Sequence, residues 1–207
     1  MDEIPVPAPA RGRGRPRSEE SERAILDATR SLLKERGFAE FTIDEVSRRA
    51  GVGKSTIYRR WPTKGTLVFE AFMIEFLAEL PPPDTGNLRG DLLAVLRSWI
   101  RAVKGTVTGH TLVGLISEVQ RDPELAEVWA EKFVAPVRAQ HRLLFERAID
   151  RGEIASTIDV EVAMDLLFGP AYHRLLQRHL ALDDRFAESV VNTILDGLLS
   201  AKDVSSS

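Results

Sequence analysis

Residues 42–61, Thr-Ile-Asp-Glu-Val-Ser-Arg-Arg-Ala-Gly-Val-Gly-Lys-Ser-Thr-Ile-Tyr-Arg-Arg-Trp, constrain this chain more than any other stretch. Thr42 followed three residues later by Glu45 is a capping box, so a helix is expected to start at Ile43. Val46 and Ala50 lie one turn apart on its inner face. Gly51 supplies the left-handed backbone of a tight turn, and Val52 plugs the corner. In the helix that follows, Ile57 and Trp61 form one buried i,i+4 stripe. Every other side chain from Lys54 to Arg60 is a hydrogen-bond donor or a cation. Such an inventory suits a helix in a DNA major groove, where bases offer acceptors and phosphates attract positive charge. A plain helical corner with a solvated outer face is the alternative. The exit weighs against it. Pro62 stops the second helix, Thr63 caps a new one, and Lys64 at that N-terminus is placed to clamp a phosphate with the free backbone N–H groups.

From Phe41 to Leu67 the sequence resembles the DNA-binding domain of the TetR family of bacterial repressors. The threonine opening the second helix (Thr42), the Ala50-Gly51-Val52 turn, Tyr58 and the exit Trp61-Pro62-Thr63-Lys64 all match that pattern. Ser47 stands where alanine is commoner and Trp61 where phenylalanine is usual. The resemblance implies an all-α protein, with an N-terminal three-helix domain carrying the helix-turn-helix and a C-terminal helical domain for ligand binding and dimerisation. It implies a homodimer on a near-palindromic double-stranded operator, regulated by a small molecule the sequence does not identify. Lys54, Ser55 and Thr56 are expected at base edges, Thr42, Tyr58, Arg60 and Lys64 at phosphates, and Arg59 at either.

The expected division is a basic arm over 1–18, disordered when free, a reading head over 19–63, an effector and dimer domain over 64–201, and a tail over 202–207. Charge follows it. Residues 1–64 hold 14 Lys and Arg against 10 Asp and Glu, whereas the remainder holds 14 against 21. A basic third on an acidic body directs one face to nucleic acid. Within the arm, Arg11-Gly12-Arg13-Gly14-Arg15-Pro16-Arg17 is similar to the core of AT-hook peptides, which lie in the minor groove. Arg13, Arg15 and Arg17 are its candidate contacts; a basic tail adding only unspecific attraction is the other reading.

A first helix capped by Ser18 or Ser21 is expected to run through Arg36, with Gly37 as its left-handed C-cap. A fourth helix from Lys64 to Leu80, closed by three prolines, is the expected mechanical link between head and body. Beyond it the pattern is helical throughout. Helices are expected over 88–104, from His110 or Thr111 to Arg121, from Asp122-Pro123 to Arg151 with a kink at Pro136, over 159–180 with a break at Gly169-Pro170, and from Asp183 or Asp184 to Ala201.

Trp99, Trp129, Phe133, Phe168 and Tyr172 are the candidates to line an apolar effector cavity, with ordinary core as the bland alternative. By the resemblance, Val162, Leu166, Gly169 and Leu176, with Val190, Ile194 and Leu198, would form a four-helix dimer seam, and cover for the ligand domain within one monomer is the competing reading. No nucleophile elbow, phosphate loop or metal spacing occurs, so neither an enzyme, a cofactor nor a metal is expected. Cysteine is absent and no apolar run is long enough to span a bilayer, which fits a cytoplasmic protein without a membrane partner. The expected function is a repressor released from its operator by an apolar or amphipathic effector. The competing class is a DNA-binding architectural or partner-recruiting protein that takes no effector.

Overall fold

The computed structural model describes residues 15–76 and 83–204, and among them every regular element is helical. The helices are α1 (Arg15–Glu40), α2 (Ile43–Ala50), α3 (Lys54–Tyr58), α4 (Lys64–Phe76), α5 (Leu88–Val103), α6 (Val107–Val119), α7 (Pro123–Trp129), α8 (Ala135–Asp150), α9 (Val160–Gln177) and α10 (Asp184–Val204).

The head is built by local signals. Helix α1 starts at Arg15, inside the segment expected to be a free arm, and buries Ile25, Leu32 and Leu33. Gly37 breaks it with φ +73°, and the chain turns one further helical turn through Phe38 to Glu40. The Glu45 N–H donates to the Thr42 hydroxyl oxygen at 3.3 Å, so α2 starts where its cap dictates. The carboxylate of Glu45 serves Arg48 instead of closing the reciprocal half of the box. Gly51 at φ +65°, ψ +30° closes α2, its N–H donating to the Ser47 carbonyl. The Ser47 hydroxyl then donates to the Val52 carbonyl at 2.6 Å, which explains the serine where alanine is usual: it braces the turn.

In the body, α5 is the central helix, with Leu88, Leu92, Leu96 and Val103 almost wholly buried. Asn87 caps it, and the Leu88 N–H donates to Glu153 beyond α8 at 2.7 Å, tying the start of α5 to the end of α8. Helix α6 begins at Val107, earlier than expected, because the Thr106 hydroxyl oxygen accepts from the Gly109 N–H. Asp122 and Pro123 open α7 as expected.

Proline and glycine shape the longer helices in two places. A π-helical turn, Ala130–Val134, joins α7 to α8. Pro136 has no N–H for the Lys132 carbonyl and its ring crowds that group, and the widened turn lies just before it. Helix α9 runs through Gly169-Pro170 without the break expected there, ending at Gln177, three residues short of expectation, with Arg178 left-handed at φ +55°. The end of the fourth helix, expected at Leu80, lies outside the described residues. Asp183 caps α10, accepting from the Phe186 N–H at 2.9 Å.

Candidate nucleic-acid interface and effector cavity

The reading surface is positioned by very little. Helix α3 has five residues, too few to be stable alone, and is held by the fully buried Ile57 and by Trp61, whose indole N–H donates to Glu70 of α4 at 2.8 Å. Lys54, Ser55, Tyr58, Arg59 and Arg60 are exposed on its outer side and Thr56 is half-buried. Tyr58 is 47% exposed, an unusual position for a phenol unless a polar surface is to be met there. Thr42, exposed at the start of α2, joins this surface.

The cations of the surface are not idle. Lys54 pairs with Asp44 at 2.6 Å, and that carboxylate raises the lysine pKa first through a hydrogen bond and then through its charge. Arg60 pairs with Glu22 of α1 and lies 5.5 Å over the Trp61 ring. The first pair is exposed and the second half-exposed, so phosphate can displace either carboxylate at low cost.

Lys64, expected as a phosphate clamp, makes its contacts within the chain. Its ammonium donates to the Phe38 carbonyl at 2.7 Å and lies 4.5 Å over the Phe38 ring, and partial burial lowers its pKa. The carbonyl it reaches is one that the Gly37 break leaves at the end of α1, so the side chain staples α4 to α1 rather than facing outward. Arg13 of the arm lies outside the described residues; Arg15 and Arg17 lie in the first turn of α1, and the structure describes their backbone alone.

The body contains a cavity of about 640 Å³, and all five aromatics expected around it line it. Two aromatic walls face the space. One joins Phe76 of α4 to Trp129 and Phe133, the last pair with ring centres 4.4 Å apart, and Phe72 packs behind it. The other sets Trp99 of α5 beside Phe168 (6.2 Å) and Tyr172 (5.0 Å) of α9. Phe145 of α8 belongs to the core and is fully buried.

His141 also lines the space, stacked 4.8 Å from Phe168. Burial and then the nearby Arg138 charge lower its pKa to about 4, so it is neutral at physiological pH. Burial raises the Tyr172 phenol to about 12 against a hydrogen bond from Trp99. The signal for His141 is in the sequence: Phe133, Val137, His141 and Leu144 share one stripe of α8 and the turn before it, in which the histidine is the polar exception.

Two glycines join head and body. A Cβ at Gly114 of α6 would lie 2.4 Å from the Phe38 ring, and one at Gly65 of α4 would lie 2.7 Å from Leu125. The rings and backbones meet there only because those side chains are missing.

On the outer face of α9, Val162 and Leu166 are 51% and 53% exposed and Leu176 is exposed too, while Gly169, which also borders the cavity, has nothing within 4 Å of an added Cβ. Ile194 does not belong with them: it is buried against the body, as is Ala163. Val190 is half-buried, and the Leu198 side chain lies outside the description.

Among the described residues no helix is long and apolar enough to cross a membrane, and no cluster of His, Asp and Glu could hold a metal ion.

Comparison with known proteins agrees at both ends. Residues 25–71 match the profile of bacterial regulatory proteins of the tetR family, and residues 82–194 match that of the tetracyclin repressor-like C-terminal domain. The uncharacterized HTH-type transcriptional regulator YdeS of Bacillus subtilis is 34% identical over 87% of this chain and 90% of its own. The DNA-binding transcriptional repressor TetR of Mycobacteroides abscessus is 30% identical over 83% and 90%. Among solved structures, the TetR family transcription regulator SCO0332 superposes with a TM-score of 0.74 at 36% identity, covering 86% of this chain and 98% of that one. FadR of Bacillus subtilis, solved with stearoyl-CoA, shares the fold with a TM-score of 0.63 at 20% identity, over 84% and 98%.

Proposed function

This chain belongs to the TetR family of bacterial transcriptional regulators, and from that premise we propose that it is a cytoplasmic homodimeric repressor, released from a near-palindromic operator when an apolar or amphipathic effector fills the cavity. One observation carries the effector part. Helix α4 starts beside the reading helix, where Trp61 bonds Glu70, and its far end supplies Phe76 to the cavity wall. An occupant that shifts Phe76, Trp129 or Phe133 therefore acts on the element that holds the reading helix. The contacts Phe38–Gly114 and Gly65–Leu125 transmit the same displacement through α6 and α7. An effector coupled in this way changes operator affinity by a factor set by its differential binding, typically about 1–3 kcal/mol.

Lys54, Ser55 and Thr56 read base edges, Thr42, Tyr58 and Arg60 hold phosphates, and Arg59 serves either. Asp44 and Glu22 orient Lys54 and Arg60 until phosphates replace them. Lys64 contributes by fixing α4 to α1. Arg13, Arg15 and Arg17 add a contact with the DNA beside the operator core, either in the minor groove or as unspecific attraction to phosphates, although Arg15 and Arg17 lie in the first turn of α1. The functional division is a reading head over 19–63 and an effector and dimer body over 64–201. Val162, Leu166 and Leu176, with the open backbone at Gly169, give the body an apolar face suited to a two-fold copy.

The test is a gel shift on the chain's own upstream DNA with footprinting. Two half-sites about 34–36 Å apart, or a multiple of that, are expected. Addition of apolar compounds that raise the melting temperature is expected to release the DNA. An operator complex indifferent to every stabilising compound would leave the architectural role and remove the effector.

A further inference from the structure

The cavity is rich in rings, yet its polar groups are distributed in a way that bears on the kind of molecule it admits. Arg138 lines it, but its guanidinium is already committed. Nε donates to the Glu161 carboxylate at 2.8 Å, Nη1 to Asp165 at 2.6 Å, and Nη2 to the Glu161 backbone carbonyl at 3.2 Å. Glu161 is further paired with Arg142. Asp165, on the same lining, spends one carboxylate oxygen on Arg138, so the α8–α9 cluster of Arg138 and Arg142 with Glu161 and Asp165 presents no net charge to a ligand. The two titratable groups in the ring wall, His141 and Tyr172, are both neutral near pH 7. Arg101 is the remaining cation on the lining, and it is exposed at the rim, where water and salt weaken an ion pair. A charged group carried inward would lose its hydration with no counter-charge to replace it.

We propose that the cavity selects an uncharged ring compound, held between the Trp99–Phe168 wall and the Trp129–Phe133 wall, whose polar group hydrogen-bonds the His141 imidazole. A neutral imidazole offers one donor and one acceptor nitrogen, so it can receive an N–H or O–H from such a ligand. The volume of about 640 Å³ lies within the range of sites for compounds of two or three rings. The inference rests on the effector reading above, and its test does not involve DNA.

The probes are N-phenyl-1-naphthylamine and 8-anilinonaphthalene-1-sulfonate, the same ring system without and with a sulfonate, both brightening on entry into an apolar site. With the full chain near neutral pH, the uncharged probe is expected to half-saturate at a concentration lower by about tenfold or more. Ala94→Phe, which puts a ring into the lined space, is expected to abolish its binding while circular dichroism and dimer size stay unchanged. His141→Leu is expected to weaken it by about threefold to tenfold, the effect of one hydrogen bond, and His141→Gln to restore most of that loss. Equal or tighter binding of the sulfonate, lost in Arg101→Ala, would overturn the proposal in favour of an anion anchored at the rim. Absence of binding by the uncharged probe, or binding that survives Ala94→Phe, would overturn it as well. A probe that binds as expected but leaves the operator complex intact would count against the effector reading and not against this one.

Discussion

The reading head and the effector body solve opposite packing problems. In the head, the five residues of α3 depend on two buried side chains, Ile57 and Trp61. In the body, long helices are capped firmly at their ends but stand apart in the middle, leaving about 640 Å³ between aromatic walls. The head needs one geometry because it must match a fixed duplex. Under the proposed function the body must tolerate two, because an occupied and an empty cavity are then both folded states. The same truncation should therefore have different consequences in the two regions.

Ile57→Ala in the head is expected to cost roughly 2–5 kcal/mol, the range for a fully buried large-to-small change, and to abolish operator binding with it. Phe168→Ala on the cavity wall is expected to cost clearly less, since Phe168 is only half-buried and borders empty space. Denaturant titration of both variants measures the gap. Equal losses would mean that the cavity closes in solution and the contrast is unreal.

The next effect is confined to the body and to acid. His141 has a native pKa of about 4, below its ordinary value of 6.5. Above pH 6.5 both folded and unfolded states hold it neutral, and the burial has no pH-dependent cost. As pH falls from 6.5 to 4 the unfolded state takes up a proton that the native state refuses, and stability drops by up to ~3 kcal/mol. His141→Gln removes this component, so the variant should lose less stability than the wild type between those limits. Parallel curves would show that the imidazole is solvated.

Local devices in the head should give smaller losses. Thr42→Ala removes the cap of α2 and is expected to cost about 1 kcal/mol, with Thr42→Ser close to neutral. Lys64→Met separates two roles for one residue. As the staple to Phe38 it should lower stability by about 1 kcal/mol and leave the slope of log K against log salt unchanged. As a phosphate contact it would instead flatten that slope by nearly one unit. Binding isotherms at several salt concentrations distinguish them.

Lys64 also shows why part of the site was not legible in the sequence. Its position after Pro62-Thr63 correctly marks a helix N-terminus, but which way its side chain turns depends on Phe38, 26 residues earlier. His141 is similar. The stripe Phe133–Val137–His141 was visible, yet the ring beside it comes from Phe168 on another helix. Ile194 has the spacing of a seam residue and faces the body, because apolar periodicity marks a buried face without saying what buries it. Gly169-Pro170 reads as a helix break, and the helix runs through it, since tertiary packing overrides the loss of one backbone hydrogen bond.

The sequence by itself determined the helix starts at Ile43 and Pro123, the Gly51 turn and the donor-rich face of the reading helix. Each follows from bonds or spacings within a few residues of the chain, where dihedral preference and capping chemistry act. Only the tertiary structure decided that α4 serves both the reading helix and the cavity, that Gly114 and Gly65 admit Phe38 and Leu125, and that Arg138 is already neutralised. Those are contacts between segments far apart in sequence, set by how helix surfaces fit together, and no local pattern encodes the partner that a given face will meet.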